Sequence, residues 1–139
     1  MNAIGNENLS YGHVKFYYHN MHIRLLKNGG TEKTKLLKIF THLINNSIIH
    51  NNKREGVISI YATEENNIVQ FTIKDDGPVI KQQYFEKVFE IFHTLQPKDK
   101  FETSGVGLSI VKKIVESFGQ NVWFEETTTG TSVNFTWSK

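Results

Sequence analysis

At 139 residues the chain is long enough for one domain with its own core. It contains no cysteine, which excludes disulfides and thiolate metal sites. Its net charge of +2 is too small to argue for a nucleic-acid or membrane-surface partner. No apolar run approaches a membrane span, and Met1 to Ser10 is too polar for a signal peptide. The expectation is a cytoplasmic, soluble domain, either free-standing or the intracellular part of a membrane sensor, without direct membrane contact of its own.

Residues 1–12 read as a flexible polar leader, and residues 13–139 as a single domain. His13 to Leu26 is aromatic and β-prone, with Val14, Phe16 and Tyr18 alternating, so a strand or strand pair is expected. His19 and His22 would face opposite ways in a strand, which argues against a shared metal. After the turn at Asn28-Gly29-Gly30, Thr31 to His50 is the clearest helix, with Leu36, Ile39, Phe40, Leu43 and Ser47 along one face. His42, Asn46 and His50 repeat at i, i+4, i+8 as a polar stripe. Two readings fit the stripe: a solvent-facing edge, or ligand contact, since amides and imidazoles replace the usual Lys and Glu. Asn46 offers a carbonyl oxygen suited to hydrated Mg²⁺.

Asn51 to Gly56 reads as a turn, and Val57 to Thr63 as a strand with Ile58, Ile60 and Ala62 on one face. Glu64 to Asn67 is a hairpin loop, and Ile68 to Lys74 is the partner strand with Val69, Phe71 and Ile73 inward. Asp75-Asp76-Gly77-Pro78-Val79-Ile80 follows. Either this is plain turn chemistry, or one buried carboxylate accepts a hydrogen bond from a base while Gly77 lets the backbone approach its ring. Tyr84 to Phe92 fits a short helix anchored by Tyr84, Val88, Phe89 and Phe92. His93 to Phe101 is a loop, with the bearing of a lid or of an ordinary surface excursion. Gly105 and Gly107 then open a helix on Leu108, Val111, Ile114, Val115 and Phe118 that Gly119 stops. Such a turn suits a phosphate, through backbone N–H groups and the helix dipole, although Thr103-Ser104 also suits a simple N-cap. Val122 to Glu126 and Ser132 to Trp137 close the chain as a hairpin.

In order, these pieces resemble the catalytic ATP-binding domain of sensor histidine kinases, in the group that includes gyrase, the mismatch-repair ATPases and the ninety-kilodalton heat-shock chaperone. His42-Leu43-Ile44-Asn45-Asn46-Ser47 is similar to the N box, and Asp75 to Ile80 to the first glycine box. Phe89-Glu90-Ile91-Phe92 is similar to the F box, and Ser104-Gly105-Val106-Gly107-Leu108 with its helix to the second glycine box. Gly130 to Trp137 resembles the terminal hairpin. The resemblance implies an α+β fold of the Bergerat type: a two-layer α/β sandwich, its mixed or antiparallel sheet covered on one face by about three helices, with an ATP lid.

It further implies ATP and Mg²⁺ as cofactors. Asn46 would bind the metal, Asp75 the adenine amino group and Gly77 the adenine edge, with His50 and Val79 as nucleotide neighbours. Gly105, Val106, Gly107 and Leu108 would lie at the phosphates, and Lys98 would be a lid cation near the γ-phosphate. His42 occupies the catalytic position of the N box. The implied partners are a dimerisation domain that carries the phosphoacceptor histidine and a response regulator, with no nucleic acid. No Ser/Thr-His-Glu-Leu-Arg phosphoacceptor motif occurs in the chain.

Departures from the pattern matter for activity. His42 replaces the usual Asn or Glu, Ile49 a common basic residue, His50 an aromatic, Val79 the second glycine of the first glycine box, and Thr103 an outer glycine. Two alternatives therefore stand beside the kinase: a degenerate docking or scaffold domain with weak or no ATP binding, and a serine kinase of the anti-sigma-factor type. The aromatic F box and the Lys112-Lys113-Ile114-Val115-Glu116 helix favour the sensor-kinase type over the latter.

Overall fold

The computed structural model describes residues 9–11, 14–19, 30–51, 55–90 and 107–138. Strands β1 (Leu9–Tyr11), β2 (Val14–His19), β3 (Gly56–Glu65), β4 (Ile68–Asp75), β5 (Val122–Glu125) and β6 (Thr131–Ser138) form one sheet in the order β1-β2-β3-β4-β6-β5. Helix α1 (Gly30–His50) links β2 to β3, and α2 (Gly107–Ser117) precedes β5. The β2–β3 pair is parallel and every other pair antiparallel. A parallel pair needs a crossover, and α1 supplies it; β1–β2, β3–β4 and β5–β6 are sequential antiparallel pairs, while β4 pairs with β6 across the long connection that carries α2 and β5.

The mixed sheet follows from its side-chain alternation. Ile58, Ile60 and Ala62 of β3, Val69, Phe71 and Ile73 of β4, and Val133, Phe135 and Trp137 of β6 are all buried on one face. Against them lie Leu36, Ile39 and Leu43 of α1 and Val111, Ile114 and Val115 of α2. Phe40 of α1 meets Phe71 and Phe135 edge-on, at 5.0 and 5.4 Å between ring centres. These edge-to-face contacts fix how α1 sits on the sheet. The α+β sandwich expected from the sequence is therefore present.

Local signals match as well. The β3–β4 hairpin turns through Asn66 and Asn67, both at positive φ (55° and 68°), the conformation of a two-residue turn whose twist suits the strands. Helix α2 ends in a Schellman arrangement. Gly119 (φ 73°) donates to the Glu116 carbonyl at 3.0 Å, and Gln120 to that of Val115 at 3.1 Å.

Two expectations need correction. The leader assigned to residues 1–12 contains β1, whose backbone pairs with β2 from Leu9↔Phe16 to Tyr11↔Val14. Pairing to an available sheet edge needs only backbone groups, so the polar composition concealed it. The helix expected from Tyr84 to Phe92 is instead two single 3₁₀ turns, Gln82–Tyr84 and Lys87–Phe89. Phe85 and Phe89 both stack near Phe124 of β5, at 5.8 and 5.2 Å, and two tight turns suffice to place them. The described residues hold two α-helices besides these two 3₁₀ turns.

Candidate nucleotide site

The site is built where the last three turns of α1 meet the end of β4 and the start of α2. His42, Asn46 and His50 form a half-buried stripe on α1. Burial lowers the pKa of the His42 imidazole, and the nearby Lys38 charge lowers it further. Burial likewise lowers that of His50. Both rings are thus biased towards the neutral form, which can accept a hydrogen bond or lie beside a cation without repelling it.

Helix α2 begins directly against this stripe. A Cβ built on Gly107 would lie 3.4 Å from His42 Nδ1, so the second glycine box and the first N-box residue are in contact. The N-terminus of α2 brings the positive end of its dipole to the same place. Leu108 is half-buried and packs against the core, fixing that helix end.

At the other end of the stripe, the turn after β4 rests on the end of α1. Gly77 is buried, and a Cβ there would stand 3.3 Å from Asn51 Cα and 3.5 Å from the His50 carbonyl oxygen. Asp75 lies at the centre. Its Oδ1 accepts the Gly77 N–H at 2.9 Å and the Thr131 N–H at 3.3 Å. The buried Ser47 of α1 also hydrogen-bonds this carboxyl. Burial raises the Asp75 pKa above the usual carboxylate value; the bonds from Gly77, Ser47 and Thr131 oppose the rise, and the Asp76 charge adds to it. Three donors from three different places in the fold thus hold this half-buried carboxyl in one orientation.

The β5–β6 loop seals this corner. Thr131 Oγ1 donates to the Pro78 carbonyl at 2.7 Å, and Thr127 Oγ1 to that of Gly130, also at 2.7 Å. A Cβ on Gly130 would fall 1.9 Å from the Asp75 carbonyl oxygen. The structure thus brings His42 to Gly107, His50 to Gly77, and Asp75 to Ser47 and Thr131. Asn46 stands between the two histidines on the same stripe. Val79 is 43% exposed at the rim. Lys98, Gly105 and Val106, with the loop from His93 to Phe101 expected as a lid, lie outside the described residues.

Sequence reasoning missed Asn51, Gly56 and the bonds made by Ser47 and Thr131. A serine on the otherwise apolar buried face of α1 was the available signal for Ser47. Among the described residues no cluster of three or more His, Asp or Glu is arranged to hold a metal, so any divalent ion here would depend on few protein oxygens and on its own waters. No helix among the described residues is long and apolar enough to cross a membrane.

Comparison with known proteins agrees with this geometry. Residues 31–139 match the family described as histidine kinase-, DNA gyrase B- and HSP90-like ATPase. Phytochrome-like protein Cph1 of Synechocystis sp. is 32% identical over 94 residues, 68% of this chain but 13% of the relative. The matched region is therefore a small part of its curated relatives. The nucleotide-free catalytic domain of histidine kinase ThkA superposes with a TM-score of 0.67 at 28% identity, covering 78% of this chain and 68% of that one. ThkA in complex with response regulator protein TrrA superposes with a TM-score of 0.68 at 26% identity, over 89% of this chain and 33% of that one. The chain belongs to the histidine kinase-, DNA gyrase B- and HSP90-like ATPase family, as an ATP-binding domain of the histidine kinase type.

Proposed function

We propose that the domain binds Mg-ATP and presents its γ-phosphate to a histidine on a separate dimerisation domain of a two-component sensor kinase, which then serves a response regulator. The observation that carries this reading is convergence. Two segments far apart in sequence meet the same end of α1: the start of α2, with Gly107 at His42, and the turn after β4, with Gly77 at His50 and Asp75 at Ser47. In this reading Asp75 accepts the adenine amino group and Gly77 lets the base lie flat on the turn. His50 and Val79 flank the nucleotide, and Asn46 offers an oxygen to Mg²⁺. Gly105, Val106, Gly107 and Leu108 supply N–H groups to the phosphates, with Lys98 as a lid cation. His42 takes the catalytic position of the N box, next to the phosphates. Phosphoryl transfer asks mainly for positioning and charge neutralisation, and these residues provide the parts for both. ThkA, crystallised with a response regulator, is the precedent for such a partner. The sensor-kinase relatives support an intracellular setting.

Calorimetric titration with ATP, with and without Mg²⁺, tests the proposal. The expected affinity is upper micromolar, on the order of −5 kcal/mol. Val79 adds bulk at the rim, and Ile49 offers no cation where the family often has one. Those same two residues favour the second reading, a docking domain that keeps the fold without the nucleotide, and absence of any saturable heat would select it.

A further inference from the structure

Asn51, Gly56 and Asp76 form a junction beside the site. The Asn51 Nδ2 donates to Asp76 Oδ1 at 3.0 Å, and the Val57 N–H donates to the same oxygen at 2.9 Å. The Asp76 N–H in turn donates to the Val57 carbonyl at 3.3 Å. One carboxylate oxygen therefore ties the residue after α1, the start of β3 and the turn after β4. Shape matches the bonding. A Cβ on Gly56 would lie 2.7 Å from both Nδ2 and Oδ1 of Asn51, and one on Gly77 would lie 3.3 Å from its Cα. Neither glycine is at positive φ, so what Gly56 contributes is the room its missing Cβ leaves for the Asn51 amide in this position.

We propose that the Asn51–Asp76 clamp, seated between Gly56 and Gly77, is the positioning unit of the nucleotide site: it sets where the Asp75–Gly77 turn stands over the end of α1. The inference rests on the ATP-binding reading. The two adjacent acids divide the work. Asp75 is bonded to Ser47, Gly77 and Thr131 around the expected base site, while Asp76 is bonded to Asn51 and Val57 and acts only through its neighbours. Loss of Asp76 frees the turn to shift, which misplaces the base contact and leaves the phosphate contacts on α2 alone.

The test is an NMR titration of the domain with adenosine and with ADP, following the Gly77 amide, for the unmodified protein, Asp76→Ala and Asp76→Asn. Asp76→Ala is expected to weaken adenosine and ADP by the same factor, about tenfold, the scale of one well-placed hydrogen bond. Asp76→Asn keeps a carbonyl oxygen for both donors and is expected to restore both affinities to within about twofold of the unmodified protein. Should Asp76→Ala fail to fold, Asn51→Ala carries the same test, since it leaves the Val57 bond in place. Unchanged affinity in Asp76→Ala, an Asn variant as weak as the Ala variant, or a loss confined to ADP overturns the proposal. If the unmodified domain binds neither ligand, the ATP reading itself fails, and the clamp has no nucleotide site to position.

Discussion

Gly130 and Gly119 offer a matched pair of substitutions. Both hold left-handed backbone, at φ 70° and 73°. Alanine at either position must adopt a conformation that costs roughly 1–2 kcal/mol, partly offset by the smaller entropy of the unfolded chain. At Gly119 nothing lies within 4 Å of the new Cβ, so the net cost should stop at about 1 kcal/mol. At Gly130 the new Cβ would stand 1.9 Å from the Asp75 carbonyl oxygen and 3.2 Å from Asp76 Cα. That oxygen is backbone, so relief requires the β5–β6 loop and the turn after β4 to separate, against the Thr131–Pro78 bond. Overpacking of this kind adds roughly 1–3 kcal/mol, for a total of about 3 kcal/mol. For a domain of this size the melting temperature should fall by about 10 °C for Gly130→Ala and about 3–4 °C for Gly119→Ala. Differential scanning calorimetry of the two variants beside the unmodified protein reads the difference directly. Equal shifts would show that the close approach of Gly130 to Asp75 is not a structural constraint, and the sealed corner described here would be wrong.

Other expectations follow from the same contacts. Asp75→Asn keeps an oxygen for the Gly77, Thr131 and Ser47 donors but removes the charge, so nucleotide affinity should fall by about 2–3 kcal/mol in calorimetry while the fold survives. Because the folded pKa of Asp75 is raised, the native state holds its proton more tightly than the unfolded state. The unmodified protein should therefore lose stability as pH rises from the ordinary value of 3.8 through the folded value, and denaturant melts of Asp75→Asn should lack that step. The histidines act in the opposite sense: with folded pKa values below 6.5, their contribution is full above pH 6.5 and is lost as pH falls through the folded values. His42→Asn with His50→Gln should flatten that slope. Val79→Gly should tighten ATP binding, and adding His42→Asn should strengthen its Mg²⁺ dependence; titrations in which neither moves would show that the pocket accepts both residues without cost.

Periodicity in the sequence reports which face of an element is buried, and there the reading was close. Ile58, Ile60 and Ala62, and opposite them Val69, Phe71 and Ile73, lie inward as their alternation predicts. Gly119 stops α2 because only its own backbone conformation was at issue. What periodicity does not carry is long-range fit. Asn51 to Gly56 reads as a plain turn because the partner of Asn51 is Asp76, 25 residues away, and the need for glycine at 56 exists only once that amide side chain is in place. Residue β1 pairing and the 3₁₀ turns at Gln82–Tyr84 and Lys87–Phe89 were likewise hidden, since a sheet edge and the ring of Phe124 decide them. For the candidate site, the ordered motifs named segments that the fold brings together at the end of α1, while the bonds that orient Asp75, from Ser47 on one side and Thr131 on the other, come from elements that meet only in the folded chain.

The most direct test of the central claim is an ATP titration of the domain in the presence of Mg²⁺, followed residue by residue through the backbone amide resonances. The account predicts saturable shifts that converge on one side of the molecule: Asn46 and His50 on α1, Gly77 after β4, and Gly107 and Leu108 at the start of α2. Absence of saturable shifts, or shifts gathered on the opposite face of the sheet around the exposed Tyr61 and Trp123, would contradict it.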